Sequence, residues 1–129
     1  MTRWFGYDET YDPPAPVVPV RVADPSGAAA VLARGLIDTG ADCTFIPAHL
    51  ASGLQLPLVD SLEIVGVGGG GARAPVYAGR VDIAGVTALA RLVAYEDAVI
   101  VGRDILAHLI VLLDGPRSKL RLSLRRADH

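Results

Sequence analysis

Along most of this chain, apolar residues come in short runs, some alternating with polar positions and some unbroken, separated by glycine, proline and aspartate. Such runs suit strands, because successive side chains of a strand face opposite sides of a sheet. Val17 to Val22 (VVPVRV) predicts a strand, and Pro19 inside it predicts an edge position where a missing N–H is tolerated. ADPSG (Ala23 to Gly27) has turn chemistry, and Ala29 to Ile37 returns as a second strand that delivers the chain to Asp38. Thr44 to Ile46 predicts a short strand stopped by Pro47, and Ala48 to Ser52 one helical turn closed by Gly53. Leu62 to Val67 runs into the glycines Gly68 to Gly71, and Pro75 to Ile83 leads away, which predicts a long hairpin with a glycine tip. Val86 to Ala94 and Ala98 to Val101 are further strands, the latter ending at Gly102. Asp104 to about His108 predicts a short helix with Asp104 as N-cap. Leu109 to Leu113, the turn DGPRS and the alternating KLRLSL (Lys119 to Leu124) form a hairpin with one wet face. Many short strands with little helix predict an all-β barrel or sandwich.

Length and composition narrow this picture. A chain of 129 residues is one domain by length, large enough to bury roughly two-thirds of its unfolded surface. It is 51% apolar but only 5% aromatic, so Val, Leu, Ile and Ala must fill the core. A net charge of −2 and a pI near 5.8 offer no general affinity for nucleic acid, and the basic SLRRADH at the end suits a solvated tail. The single cysteine, Cys43, excludes an intrachain disulfide framework. The first residues, MTRWFGYDETYDPP, lack the pattern of a signal peptide, and no apolar run approaches the ~18 residues of a membrane span. A soluble cytoplasmic protein with no membrane partner is the expectation.

Candidate chemistry concentrates in LIDTGADCTFIP, Leu36 to Pro47. Asp38 and Asp42 interrupt an apolar run, and an acid placed where a chain is about to be buried needs a partner or a task. Other features carry less. GVGGGG (Gly66 to Gly71) matches GxGxxG, but a strand follows it where dinucleotide binding requires a helix. Cys43 with His49 as base is outweighed by a small, partly buried side chain at a turn. His49, His108 and His129 have no ligand spacing, so no metal and no cofactor are expected. Trp4, Phe5, Tyr7 and Tyr11 suit either a dimer arm or a loose tail, and Asp60, Glu63, Asp82, Glu96 and Asp97 suit surface charges.

Leu36-Ile37-Asp38-Thr39-Gly40-Ala41-Asp42 followed by Thr44-Phe45-Ile46 resembles the active-site segment of the retropepsin-like aspartic proteases. The glycine-rich hairpin around Gly66 to Gly71 is similar to the family's flap, and Val99 to Leu106 (VIVGRDIL) to its apolar-apolar-Gly segment and following helix. The resemblance covers roughly residues 17 to 124. It implies an all-β acid protease barrel with a flap hairpin and one short C-terminal helix, an arm over residues 1–16 and a tail over 125–129. Hydrolysis without a metal or covalent intermediate needs a base to activate water and an acid to protonate the carbonyl oxygen. Two carboxyls about 3 Å apart can do both, because they share one proton. With one such loop in the chain, the resemblance implies a homodimer in which Asp38 from each subunit meets at a twofold axis.

The remaining roles follow from the same resemblance. Thr39 would hydrogen-bond across the axis, and Gly40 would allow close approach and a backbone conformation that a Cβ penalises. Ala41 and Asp42 would border the cleft and align an extended peptide substrate, under a flap whose Gly68, Gly69 and Gly70 open and close over it. Gly102 and Arg103 would support the site, with Arg103 pairing with Asp42. The alternatives are a catalytically silent dimerisation module with the same fold and a protease acting on one dedicated protein.

Overall fold

Alternation decides the first strands. In β1 (Thr2–Gly6), Phe5 packs against the core while Trp4 and Gly6 on either side are exposed. In β2 (Val17–Ala23), Val18, Val20 and Val22 are fully buried and Pro19 faces outward. This is a computed structural model, and it describes residues 2–65 and 69–124. The chain continues through β3 (Ala30–Ile37), β4 (Thr44–Ile46), α1 (Ala48–Gly53), β5 (Leu58–Val65) and β6 (Gly71–Ile83). It ends with β7 (Val86–Ala94), β8 (Val99–Val101), α2 (Arg103–Leu106), β9 (Leu109–Asp114) and β10 (Lys119–Leu124).

The strands β2, β3, β8, β4, β7 and β6 are neighbours in that order, and β2 pairs back onto β6 through Arg21–Ala23 and Arg80–Asp82. That closes a six-stranded barrel and removes the sheet edges that would otherwise need covering. Pro19 lies on the part of β2 that β6 does not reach, so its missing N–H costs no ladder bond there. The interior is filled by Val18, Val20, Val22, Ile46, Ile83, Leu92 and Val101, the aliphatic core that the composition requires. Among the described residues, no helix is long and apolar enough to cross a membrane.

A separate three-stranded antiparallel sheet, β1-β10-β9, sends Leu120 and Leu122 into the same core. Residues Thr2–Gly6, expected as an arm or a tail, are therefore a strand of this sheet, with Phe5 and Tyr7 against the core. Trp4 lies on its outer face, where the guanidinium of Arg121 stands 5.6 Å from the ring centroid. Residues 125–129, expected as a solvated tail, lie outside the described residues.

Several boundaries differ from the sequence expectation, each for a physical reason. The hairpin strand β5 begins at Leu58 and not Leu62, because Leu58–Val65 pairs along Gly71–Tyr77 with one irregularity between Leu58 and Asp60. Its side chains are nearly all exposed, so the strand is made by pairing and not by burial. Helix α1 is not closed by Gly53 in the left-handed region. Leu54 caps it in a right-handed conformation, and Gln55 takes the left-handed turn at φ 51°.

Candidate active site

The topology determines where Asp38 sits. Strand β3 runs parallel to one side of β8, with Ile37 beside Val101, and β4 lies antiparallel on its other side, with Phe45 beside Ile100. The loop between β3 and β4 must therefore cross the C-terminal end of β8, and that loop is Asp38 to Cys43. Asp38 is half-buried at its start, and its N–H donates to the Val101 carbonyl at 3.0 Å. The Asp38 carboxylate accepts the Gly40 N–H on Oδ1 at 2.9 Å. Its other oxygen has no hydrogen-bond partner among the described residues.

Directly beneath the crossing lies Gly102. A Cβ there would stand 2.2 Å from the Cys43 carbonyl oxygen and 3.0 Å from that of Ala41, so no side chain fits. Its N–H donates to Thr44 Oγ1 at 3.1 Å, and the Thr44 hydroxyl donates to Asp104 Oδ1 at 2.7 Å. Thr44 is the one buried polar residue among those described. The Arg103 N–H donates to the Ala41 carbonyl at 2.8 Å, and the Arg103 guanidinium donates to the Thr39 carbonyl at 2.8 Å. Both ends of the loop are thus tied to the segment that follows β8.

Three expectations change here. Arg103 does not pair with Asp42; its guanidinium reaches back under the loop to Thr39, and Asp42 is exposed with no ion pair among the described residues. Gly40 does not occupy the left-handed region. Its lack of a side chain matters because a Cβ would lie 3.2 Å from Asp38 Oδ1, crowding the carboxylate its N–H fixes. Asp104 is not an N-cap: Gly102 holds that position, while Asp104 Oδ1 accepts both the Ile105 N–H and the Thr44 hydroxyl. The Thr44–Asp104 lock was missed as a site feature. Its only trace in the sequence is a threonine inside an apolar strand and an acid two residues after a glycine.

The loop separates two hollows. One, of about 340 Å³, is walled by Thr39, Arg103, Leu106, Leu109 and Val111. The other, of about 370 Å³, is walled by Asp42, Cys43, Val76, Val93 and Asp104 together with Leu62 of the β5–β6 hairpin. Ile64 of the same hairpin packs on Ala74, Val76 and Val93 beside Cys43 and Phe45. Loop and hairpin therefore share one cleft. Gly69 and Gly70 lie at the hairpin tip with open space where a Cβ would stand, Gly69 in the left-handed region at φ 87°. Gly68 lies outside the described residues.

Cys43 is not a nucleophile in this setting. Burial, followed by the charges of Asp42 and Asp104, pushes its thiol up to about 11, so it is un-ionised at neutral pH. His49, the candidate base, lines a different hollow beside Val31 and Leu54.

Comparison with known proteins agrees with this architecture. The sequence profile of the family described as aspartyl protease matches residues 18–105, which holds the loop, the hairpin and β8. Among solved structures, a retropepsin-like aspartic protease from Rickettsia conorii superposes with a TM-score of 0.66 at 15% identity, over 95% of this chain and 89% of the other. EIAV protease complexed with the inhibitor HBY-793 gives 0.53 at 22% identity, over 72% and 86%. Simian foamy virus (mac) protease gives 0.51 at 15% identity, over 70% and 92%. A search of curated proteins found no match. The glycine-seated loop bearing Asp38, the closed barrel and the profile match agree: this chain belongs to the aspartyl protease family and has the retropepsin-like fold.

Proposed function

We propose that the chain is an aspartic endopeptidase whose active site forms when the Asp38 loops of two copies meet. The observation that carries this reading is the state of Asp38. Its main chain and one carboxylate oxygen are fixed by the fold, while the other oxygen has no hydrogen-bond partner among the described residues. A single carboxyl cannot both take a proton from water and give one to the carbonyl oxygen, whereas a pair sharing one proton can. Only one such loop is present, so the second carboxyl comes from another copy of Asp38.

The substrate is an extended peptide segment, bound largely through its backbone between the Asp38 pair and the β5–β6 hairpin, which acts as a flap. Gly68, Gly69 and Gly70 let backbone groups at the tip approach it. Asp42, with no ion pair among the described residues, aligns it at the rim of the cleft in this reading. Thr39 lies beside Asp38 on an exposed turn, and in this reading it hydrogen-bonds to its counterpart across the axis. Gly40, Gly102, Arg103, Thr44 and Asp104 hold the loop.

The test is a peptide-library digest across pH with wild type and Asp38→Asn in parallel. Wild type is expected to cleave with a bell-shaped profile peaking at acidic to mildly acidic pH, and Asp38→Asn to be inert while still folded. Equal cleavage by both, or a flat profile into alkaline pH, contradicts the mechanism.

A further inference from the structure

Barrel closure leaves one side of β3 paired over only part of its length. The Asp38 N–H donates to the Val101 carbonyl at 3.0 Å, and the Ile37 N–H to that of Pro16 at 2.9 Å. Even-numbered residues of β3 therefore turn their main-chain groups away from β2, and odd-numbered ones toward it. On the side away from β2, β8 reaches only Gly35, Leu36 and Ile37. The N–H and C=O groups of Ala30 and Leu32, and the N–H of Arg34, consequently face a side with no partner strand among the described residues.

An open edge usually carries a charge, a proline or a bulge that discourages pairing. From Ala30 to Ala33 (AVLA) the edge carries none of these, and a charge appears only at Arg34. Ala30, Leu32 and Arg34 are exposed, Leu32 to 72%, while Val31 and Ala33 between them pack against the core. Val31 also borders a hollow of about 240 Å³, walled otherwise by His49, Leu50, Gly53 and Leu54. Strand edge and α1 thus share one apolar groove. Among the described residues no acid lines the hollow, and His49 on it is exposed. Asp8 takes one nitrogen of Arg34 at 3.4 Å, leaving the other donors of a guanidinium that is 61% exposed.

We infer that the β3 edge and α1 form a second peptide-binding groove, which takes an extended segment of a partner protein as an added strand. Main-chain bonds to Ala30, Leu32 and Arg34 hold such a segment, and its alternate side chains give the selection. The residue facing Val31 lies on the same side of the sheet and enters the hollow, which fits an aliphatic side chain. Three positions along, the residue facing Arg34 lies on the outer side, where a carboxylate meets the guanidinium. The residue facing Leu32 covers that exposed side chain. Leu32 stands six residues before Asp38 along β3, roughly 20 Å, so the segment held here is distinct from one held in the cleft. The inference does not depend on the protease reading.

Two fluorescein-labelled probes carry the required residues in the two chain directions, Ser-Glu-Ala-Val-Leu-Thr and its reverse, each flanked by Gly-Ser. At least one is expected to bind in fluorescence anisotropy, and to bind wild type and Asp38→Asn equally. Leu32→Pro removes a donor from the open side at no cost to the β2 ladder, and is expected to weaken binding by about tenfold or more. Leu32→Ala keeps that donor and should weaken it by less than about threefold. Gly53→Leu fills the hollow from a position with nothing within 4 Å of an added Cβ, and is expected to weaken binding by about tenfold or more. Arg34→Gln should erase the preference for Glu over Gln in the probe. Hydrogen exchange should slow at the amides of Ala30, Leu32 and Arg34 on binding, and stay unchanged at Val31 and Ala33.

Circular dichroism checks each variant, and if Leu32→Pro does not fold, Gly53→Leu and the exchange pattern decide. No binding of either probe up to roughly 1 mM overturns the inference, as does binding that survives Gly53→Leu or is lost in Asp38→Asn. So does self-association of wild type that Leu32→Ala leaves and Leu32→Pro abolishes, with no probe bound, because it gives the edge to a second copy. Peptide cleavage without groove binding removes this inference alone; groove binding without cleavage removes the protease reading alone.

Discussion

The Asp38 loop and the β5–β6 hairpin face each other across one cleft and are built in opposite ways. The loop crosses the end of β8 over a glycine with no spare space, tied by Val101, Thr44, Arg103 and Asp104. The hairpin extends from the barrel on exposed side chains, held by its own ladder and by surface links such as Arg73 to Ser61 and Arg91 to Asp60. A reacting carboxylate gains from being fixed before substrate arrives, and a cover over substrate gains from being easily displaced. On the proposed protease reading, fixed contacts are concentrated where chemistry needs precision and sparse where access is needed.

The largest break in that contrast is Gly102→Ala. The Cβ would meet the Cys43 carbonyl carbon at 2.6 Å as well as its oxygen, both backbone atoms, so the loop itself must move. A loss of roughly 3 kcal/mol or more is expected in denaturant unfolding, with cleavage falling further than the folded fraction. Next is Thr44→Val, which keeps the shape but leaves the Gly102 N–H unsatisfied and Asp104 with only the Ile105 N–H as donor. That substitution should cost about 1–3 kcal/mol, again with activity reduced among the molecules that remain folded.

Changes in the hairpin should be smaller. The Ser61 N–H, followed by the Arg91 guanidinium, holds Asp60 below its ordinary value of 3.8. A carboxyl lowered in the folded state contributes stability above its unfolded value and loses it as pH falls through the folded one. Asp60→Asn should therefore lower the thermal midpoint slightly near pH 6, and the gap to wild type should close below about pH 3.8. Smallest is Gly70→Ala. Nothing lies within 4 Å of the added methyl, so stability should stay within about 0.5 kcal/mol of wild type by denaturant titration.

Much of this was legible in the sequence because it is local. The period-two pattern of KLRLSL, the turn at ADPSG and the apolar lead into Asp38 each specify their element without reference to the rest of the chain. Strand β5 was legible only in part, since LVDSLEIV alternates poorly and becomes a strand through pairing with Gly71–Tyr77. The Arg103–Thr39 and Thr44–Asp104 contacts could not be read. Each joins residues about sixty positions apart and depends on how β3 and β4 flank β8. For Gly40 and Gly102 the sequence shows that a side chain is absent. The reason, a neighbouring carboxylate in one case and a crossing backbone in the other, appears only in three dimensions.

A subunit-mixing titration tests the central claim, that one site needs Asp38 from two chains. Wild type is combined with Asp38→Asn at constant total concentration, allowed to exchange, and assayed on a cleavable peptide. If each site takes one Asp38 from either copy, activity follows the square of the wild-type fraction and falls to about a quarter in an equal mixture. A linear fall, to about half, would mean that each chain carries a complete site and would contradict the account.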